Sequence, residues 1–316
     1  MKNPFPYSDS NKRYYSFDYY LRKTFGKKCA KITLDGGFTC PNRDGKKAFG
    51  GCTFCSGRGS GDFCADSLLP IAEQFEMQRK IMQKKWENAA FLAYFQAHTN
   101  TYAPLLRLKE LFEEALSQPD VVGLNIATRA DCLAPDVVEY LHELSHRTAL
   151  TVELGLQSMH DRTALRVNRG HTTEEFLRGY ESLAGLDVCV HIINGLPGED
   201  HEMMLETAKF VANLHPKFLK IHLLHVLSDT PLAMEYENGE FEVLTREQYV
   251  KIVCDQLEIL PSDIVLGRIT GDGPADTLIA PEWSKKKLVV MNEIDKELVR
   301  RGTYQGFCDI CTKKER

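Results

Sequence analysis

The chain has 316 residues, of which 43% are hydrophobic and 26% are charged, which is typical of a globular protein with a large core. The formal net charge of −5 excludes a general attraction to nucleic acid, which would need a local basic patch. No segment has the about 18 uncharged apolar residues of a membrane span. Residues 1–10 lack the apolar core of a signal peptide, so we expect a cytoplasmic protein with no membrane partner.

Short apolar, β-branched segments alternate with longer segments of helical spacing, which indicates βα units and a parallel sheet. The predicted strands are residues 29–34, 90–97, 121–128, 149–156, 188–194 and 218–226, with a further short strand at 264–269. The predicted helices are residues 68–86, 105–116, 135–145, 173–183, 202–214, 247–260 and 283–301.

Six βα units are typical of an open barrel related to the eight-fold TIM barrel. We therefore predict an α/β fold, a partial (βα)6 TIM-like barrel with a short C-terminal helical extension. Residues 1–28 are interpreted as an N-terminal extension, 29–240 as the core, and 241–316 as a C-terminal extension packed on the core. Such folds place their chemistry on loops that follow the carboxyl ends of the strands.

Ten cysteines in a cytosolic chain indicate metal or redox chemistry more than disulfides. Cys40, Cys52 and Cys55 follow the first predicted strand with the spacing C-x11-C-x2-C. Thiolates bind zinc or iron, but structural zinc usually takes four ligands, whereas a [4Fe–4S] cluster on three cysteines leaves one iron for a small molecule. Three interpretations stay open here: such a cluster, a zinc site completed by Cys29, Cys64 or a histidine, and three structural cysteines.

A second cysteine pair, Cys308 and Cys311, lies near the end of the chain. A single C-x2-C motif is weak evidence for a metal. The pair could join Cys29 or Cys64 in a second metal site, or it could remain as free thiols.

Polar motifs follow the later predicted strands in chain order. They are Thr128-Arg129-Ala130-Asp131, Gly155-Leu156-Gln157-Ser158, Asn168-Arg169-Gly170-His171 and His191-Ile192-Ile193-Asn194-Gly195-Leu196-Pro197-Gly198. Together with the three cysteines and the aromatic Phe54 before the last of them, these motifs resemble those of radical S-adenosylmethionine (SAM) enzymes. The whole chain resembles the YhcC/YtqA-type family of that superfamily. This family is close to the catalytic subunit of the elongator complex, a tRNA wobble-uridine enzyme, but lacks its acetyltransferase domain.

The resemblance implies a partial barrel of the radical SAM type with a [4Fe–4S] cluster on Cys40, Cys52 and Cys55. SAM would chelate the open iron through its amino and carboxylate groups. An electron from a donor such as flavodoxin or ferredoxin would cleave SAM to methionine and a 5′-deoxyadenosyl radical, which abstracts a hydrogen atom. The resemblance further implies a tRNA substrate at the wobble uridine. The alternatives are a small metabolite or a protein side chain as substrate, or a non-catalytic zinc-binding interaction module.

Three residues after the fourth predicted strand are predicted from the resemblance to contact SAM. Gln157 and Ser158 would hydrogen-bond its ribose or carboxylate, and the alternative is a local cap on the next turn. Arg169 would pair with the SAM carboxylate through two hydrogen bonds. The alternative for Arg169 is a surface ion pair with Glu174 or Glu175.

Three further residues are predicted to contact SAM or the substrate. His191 would contact the ribose or the substrate, and a core histidine is the alternative. His98 and Asn100 lie where many radical SAM enzymes carry a G-G-E motif, from which this chain departs. Glu153 would face the barrel interior, where a buried carboxylate needs a partner, and Arg129 is the candidate. The sequence singles out no catalytic residue.

Overall fold

The computed structural model describes residues 3–271 and 273–308. The chain forms two compact units, each discontinuous in sequence. The cysteine-loop unit comprises Leu21–Gly155 and Asn168–Val188, and the C-terminal unit comprises Met1–Tyr20, Leu156–Val167 and Cys189–Arg316. The predicted division at residues 28 and 240 stays a prediction.

The strands follow the predicted order closely. They are β1 (Cys29–Leu34), β2 (Ala90–Phe95), β3 (Val121–Thr128), β4 (Ala149–Gln157), β5 (Asp187–Asn194), β6 (Phe218–Leu223), β7 (Val226–Leu227), β8 (Val265–Arg268) and β9 (Leu278–Ala280). In the cysteine-loop unit β1, β2, β3 and β4 pair in parallel and in chain order. In the C-terminal unit β6 pairs in parallel with β5 and with β8.

The seven predicted helices are present close to their predicted ranges, and among the described residues three shorter helices, Phe17–Phe25, Asp161–Arg166 and Pro231–Glu237, were not predicted. The helices are α1 (Phe17–Phe25), α2 (Ile71–Lys85), α3 (Leu105–Leu116), α4 (Pro135–Ser145), α5 (Asp161–Arg166), α6 (Thr173–Ser182), α7 (His201–Leu214), α8 (Pro231–Glu237), α9 (Arg246–Ile259) and α10 (Lys287–Arg301). Within residues 3–271 and 273–308, none of these helices is long and apolar enough to cross a membrane.

The core of the cysteine-loop unit is built from strands that are buried on both faces. All six residues of β2 are buried, as in a parallel sheet covered by helices on one side. Phe91 of β2 meets Phe75 of α2 edge to face at 5.8 Å between ring centroids, and Phe95 meets Phe112 of α3 at 4.9 Å. These aromatic contacts fix α2 and α3 against the sheet and so position the loops between them and the strands.

Helix α1 was not predicted, because four of its nine residues are aromatic and have low helix propensity. Within the C-terminal unit, the rings of Phe17 and Tyr20 lie 5.7 and 5.1 Å from that of Phe218. This packing, which joins positions about 200 residues apart, stabilises a helix that local sequence alone does not favour.

Two predicted elements are divided in the structure. The predicted strand 218–226 ends at Leu223, and the last hydrogen bond to β5 runs from the Leu224 N–H to the Asn194 carbonyl. Val226–Leu227 instead pairs in the antiparallel sense with Leu278–Ala280. The predicted helix 283–301 begins as a 3₁₀ turn at Glu282–Lys286 before α10.

Gly179 in α6 permits close contact with the loop after β3. A Cβ at this position would lie 2.1 Å from the carbonyl oxygen of Ala130. Alanine usually stabilises a helix by about 1 kcal/mol relative to glycine. Here we expect Gly179→Ala to lower the free energy of unfolding by about 1–3 kcal/mol because the backbone must move. Urea unfolding measures this change, and Glu181→Ala on the exposed face of α6 is the control. A stabilised Gly179→Ala variant would contradict the expectation.

Candidate functional site

The loop after β1 carries the three predicted metal ligands. Its start is fixed by Gln74, which is fully buried. The Gln74 Oε1 accepts from the Asp35 N–H and its Nε2 donates to the Asp35 carbonyl, both at 2.9 Å. Cys40, Cys52 and Cys55 follow as thiols outside any disulfide.

The three thiols lie close enough to affect one another electrostatically. Burial raises the pKa of Cys52 to about 12, with Cys55 and Cys40 adding to the increase. The Arg129 guanidinium acts in the opposite direction on the Cys52 pKa. Burial also raises the pKa of Cys55, and the positive charge of Arg43 opposes this increase. Such thiols stay protonated unless a metal replaces the proton, and Arg129 and Arg43 are the cations nearest to the resulting thiolates.

The donor set fits an iron–sulfur cluster better than a single zinc ion. Zn–S bonds of about 2.3 Å in a tetrahedron bring the sulfurs to about 3.8 Å from one another. Among the residues that the structure describes, the three thiols do not form a group whose ligand atoms all lie within 4.8 Å. A cubane of four irons spans a larger distance between its ligands. Cys40, Cys52 and Cys55 would hold the cluster, which leaves its fourth iron without a cysteine.

The two cysteines proposed to complete a zinc site lie elsewhere in the cysteine-loop unit. Cys29 begins β1, five residues and about 16 Å before the end of the strand that leads into the loop. Burial raises the pKa of Cys64 to about 12, with Asp35 and Thr33 as its neighbours. Cys308 is described, but Cys311 lies outside the described residues, and so does Asp272.

The Asn168-Arg169-Gly170-His171 motif binds the cysteine loop through hydrogen bonds. The Asn168 Nδ2 donates to the Gly51 carbonyl at 2.7 Å. In return, the Asn42 Nδ2 donates to the Asn168 carbonyl. Asn168 and Gly170 both have positive φ, 51° and 76°, so the backbone turns sharply around Arg169. The motif thereby holds the segment between Cys40 and Cys52 in place.

Arg129 and Asp131, from the motif after β3, form a buried ion pair. The Arg129 Nε and Nη2 each donate to Asp131 at 2.9 Å, and the Nη1 donates to the Arg169 carbonyl at 2.7 Å. Lys47 of the cysteine loop also contacts Asp131, at 3.1 Å, and Glu175 at 3.0 Å. Burial by itself would lower the pKa of Arg129. Hydrogen bonds to Asp131 and the nearby Cys40 and Cys52 outweigh burial and raise the pKa of Arg129 above its usual value. Arg129 is therefore a permanent cation beside the thiols.

His171 lies next to this ion pair in its neutral form. It is 6% exposed, and neither ring nitrogen has a hydrogen-bond partner among the described residues. Its Nδ1 lies 4.0 Å from Asp131. Burial, followed by the Arg169 and Arg129 charges, lowers the pKa of His171 to about 3. Its ring can therefore donate one hydrogen bond and accept another.

Arg169 is one of the most deeply buried side chains of the chain, at 1% exposure. Its Nε donates to the His171 carbonyl at 2.9 Å. The alternative of a surface ion pair is therefore wrong, and Glu174 and Glu175 instead contact Arg178 and Lys47. Its predicted contact with the SAM carboxylate stays a prediction.

His98 and Asn100 follow β2 and lie in the same unit as the cysteines. His98 has a φ of 59°, and its buried Nδ1 has no hydrogen-bond partner among the described residues. Burial lowers the pKa of His98, and Arg43 adds to the effect. Asn100 is fully buried and its Nδ2 donates to the Ala127 carbonyl at 2.7 Å. Asn100 thus ties β2 to β3, and the predicted SAM contact of both residues stays a prediction.

Glu153 of β4 is buried, as predicted, but its partner differs from the hypothesis. The Lys31 Nζ lies 2.6 Å from Glu153 and the Asn125 Nδ2 donates to it at 2.9 Å. Lys31 also lies over the Tyr94 ring, 4.5 Å from its centroid. The hypothesis that Arg129 pairs with Glu153 is wrong, because Arg129 binds Asp131. One polar residue from each of β1, β2, β3 and β4 thus meets on one face of the sheet.

In the C-terminal unit, Gln157 and Ser158 form a tight turn at the end of β4. Gln157 has a φ of 60°, which is uncommon for a residue other than glycine. Ser158 is 1% exposed, and its Oγ accepts from the His160 N–H at 3.0 Å and donates to Glu199. The local cap is therefore present at Ser158. Contact of either residue with SAM stays a prediction.

His191 of β5 lies beside His222 of β6, with 5.1 Å between the ring centroids. At the end of the same strand, Asn194 exchanges two hydrogen bonds of 2.9 and 2.8 Å with Gln256 of α9, and both residues are buried. The reciprocal amide pair fixes the end of β5, where the Gly195-Leu196-Pro197-Gly198 turn begins. The predicted role of His191 stays a prediction.

A cavity of about 970 Å³ opens in the cysteine-loop unit at the carboxyl ends of β2 and β3. Its walls include Lys47, Asp131 and Glu175, and its apolar lining includes Tyr102 and Val137. A cavity of this size accommodates a small organic molecule.

Comparison with known proteins identifies the family. A profile described as the radical SAM superfamily matches residues 40–211, and one described as the radical SAM C-terminal domain matches residues 216–300. YtqA of Bacillus subtilis is 54% identical over 308 residues, which cover 97% of this chain and 96% of YtqA. The chain belongs to the radical SAM superfamily. It is therefore an enzyme, and members of this superfamily use a [4Fe–4S] cluster and SAM.

Further relatives connect this radical SAM protein with tRNA enzymes. Protein YhcC of Escherichia coli K12 is 35% identical over 89% of this chain and 91% of its own length. The tRNA uridine(34) acetyltransferase of Methanocaldococcus jannaschii is 29% identical over 50% of this chain and 30% of its own length. The solved structure of Elp3 from Methanocaldococcus infernus superposes with a TM-score of 0.64 at 18% identity, over 88% of this chain and 64% of that one. This likeness confirms the predicted α/β partial barrel of the radical SAM type.

Sequence analysis missed the residues that hold the cysteine loop. Asn42, Lys47 and Asp131 are bound to partners between 84 and 126 residues away in sequence. Asn42 lies two positions after Cys40, and Asp131 is the acid of the motif after β3. The positions of these residues in or next to the motifs could have indicated that they matter to the site. Their hydrogen-bond and ion-pair partners, however, are determined only by the fold.

Proposed function

We propose that this protein cleaves SAM reductively at a [4Fe–4S] cluster held by Cys40, Cys52 and Cys55, and that its substrate is a tRNA wobble uridine. The observation that carries the first part is the trio of half-buried thiols, with the Arg129 cation beside Cys40 and Cys52, in a chain of the radical SAM superfamily. Together the cluster and SAM supply a 5′-deoxyadenosyl radical when an external donor such as flavodoxin or ferredoxin provides an electron.

The residues of the chain position and protect this chemistry. Arg129, fixed by Asp131, places a positive charge next to Cys40 and Cys52, and this charge opposes the increase that burial causes in the pKa of Cys52. Asn168 and Arg43 hold the segment around Cys52, since Asn168 donates to the Gly51 carbonyl and Arg43 donates to the Cys55 carbonyl at 3.0 Å.

Reductive cleavage is tested with the anaerobically reconstituted protein. We expect it to be brown and to release 5′-deoxyadenosine from SAM on addition of dithionite, measured by chromatography. The matched control is the same protein without reductant. Zinc in place of iron in the anaerobically purified protein, with no release of 5′-deoxyadenosine, would support the zinc-binding module instead.

The tRNA substrate is supported by the relationship to tRNA uridine(34) acetyltransferases over half of the chain. Nucleoside analysis of tRNA from a strain lacking the gene tests it, and we expect a missing or precursor nucleoside at the wobble position. Restoration by the wild-type gene, but not by a Cys52→Ala gene, ties the change to the cluster. An unchanged nucleoside profile would contradict the tRNA proposal.

A small-molecule substrate is the second candidate, and the cavity beside Asp131 favours it. An unchanged tRNA profile together with SAM cleavage stimulated by a metabolite extract would support this candidate. Leu133→Trp, which places a large ring in the cavity lining, is expected to remove the stimulation while leaving unstimulated SAM cleavage in place.

A further inference from the structure

The amide of Asn42 is fully buried beside one of the proposed cluster ligands. Its Nδ2 lies 3.8 Å from the Cys52 Sγ, within hydrogen-bonding distance for sulfur, and also donates to the Asn168 carbonyl. Its Oδ1 is buried without a partner among the described residues. An unpaired buried polar atom costs about 1–3 kcal/mol. Packing alone therefore does not explain an asparagine at this position.

The orientation of the Asn42 amide is fixed by its surroundings. If oxygen and nitrogen exchanged places, the Oδ1 would face the Asn168 carbonyl oxygen, and two acceptors would repel each other. The donor side of the amide consequently faces Asn168 and Cys52, and the acceptor side faces Gly170.

Gly170 is required to leave space for this amide. A Cβ at Gly170 would lie 2.1 Å from the Asn42 Oδ1, far inside van der Waals contact. Any side chain at Gly170 would therefore push the amide away from its present position. The glycine of the Asn168-Arg169-Gly170-His171 motif thus controls a group that lies next to Cys52.

We propose that Asn42 donates an N–H···S hydrogen bond to the Cys52 thiolate that raises the reduction potential of the cluster, and that Gly170 is the position that permits it. The proposal rests on the proposed function. Reduction brings one electron from an external donor onto the cluster, with no bond made or broken. The added negative charge is shared by the sulfurs, so a donor to a sulfur stabilises the reduced form more than the oxidised form.

The test is the midpoint potential of the reconstituted protein, measured by redox titration with EPR detection of the reduced cluster. Asn42→Leu removes the donor at similar size, and Gly170→Ala displaces the amide without changing Asn42. For both we expect about tenfold less reduced cluster at a fixed potential, which corresponds to a shift of about −59 mV for one electron. If Asn42→Leu takes up no iron, Gly170→Ala carries the test.

Gly50→Ala is the matched control. Gly50 lies in the same loop with a φ of 79°, so alanine causes similar backbone strain, but a Cβ there meets nothing within 4 Å. We expect its potential to equal that of the wild type. Variants with full iron content and an unchanged potential overturn the proposal, and so does an equal shift in Gly50→Ala. Absence of iron from the wild type would instead refute the proposed function, and this proposal with it.

Discussion

Alanine at Cys40, Cys52 or Cys55 will reduce the iron content from about four per chain to background and abolish reductive cleavage of SAM. Each cysteine supplies one of the three proposed protein ligands of the cluster. The measurements are iron and sulfide content after anaerobic reconstitution, and release of 5′-deoxyadenosine.

Cys64→Ala is the matched control for the cysteine variants. Cys64 is a buried thiol in the segment after the cluster loop, but its neighbours are Thr33 and Asp35 instead of the other cysteines. Its iron content and SAM cleavage should match those of the wild type. Full iron content in Cys52→Ala, or its loss in Cys64→Ala, would show that the ligands are assigned wrongly.

Asp131→Asn is expected to lower the free energy of unfolding by about 3–5 kcal/mol, because it leaves the buried Arg129 and the nearby Lys47 without their shared carboxylate. The side chain of Asp131 is 4% exposed and that of Arg129 is 10% exposed, so water cannot replace the lost partner. Urea unfolding at pH 7 measures the change. Asp136→Asn, on the exposed first turn of α4, is the control and should change stability by less than about 0.5 kcal/mol.

The same carboxylate should make stability depend on pH. Burial raises the pKa of Asp131, but its hydrogen bonds and charge interaction with Arg129 lower it below the usual value. A folded-state pKa below the unfolded value of about 3.9 contributes stability above that pH, and the contribution disappears as the pH falls through the folded pKa. Below about pH 4, the free energy of unfolding of the wild type should no longer exceed that of Asp131→Asn. If the free energies of unfolding of the wild type and Asp131→Asn change in parallel from pH 7 to pH 3, the lowered pKa of Asp131 is contradicted.

Apolar periodicity was sufficient to predict most of the secondary structure. Residues 29–34, 105–116, 121–128 and 135–145 have the predicted bounds, because buried strands and amphipathic helices carry their signal within a few consecutive residues. Helix α1 was missed for the opposite reason, since it depends on the ring of Phe218. The long predicted strand at 218–226 is divided because Val226–Leu227 pairs with Leu278–Ala280 instead of β5, and local sequence does not reveal this partner.

In the candidate site, too, some features could be predicted from local sequence and others depend on the fold. The spacing of Cys40, Cys52 and Cys55 is local, so the chain order alone identified a cluster motif, and the motifs after the strands identified the family. The partners of buried polar groups depend on which strands lie side by side. For this reason Lys31, and not Arg129, was found to neutralise Glu153.

Local patterns in this chain were enough for its elements, its α/β class and its thiolate motif, because each arises from residues a few positions apart. Folding alone brought Asn42 to Gly170 and Lys47 to Asp131, since contacts between residues about 100 positions apart depend on the path of the backbone. The geometry around the cysteines is therefore a property of the tertiary structure.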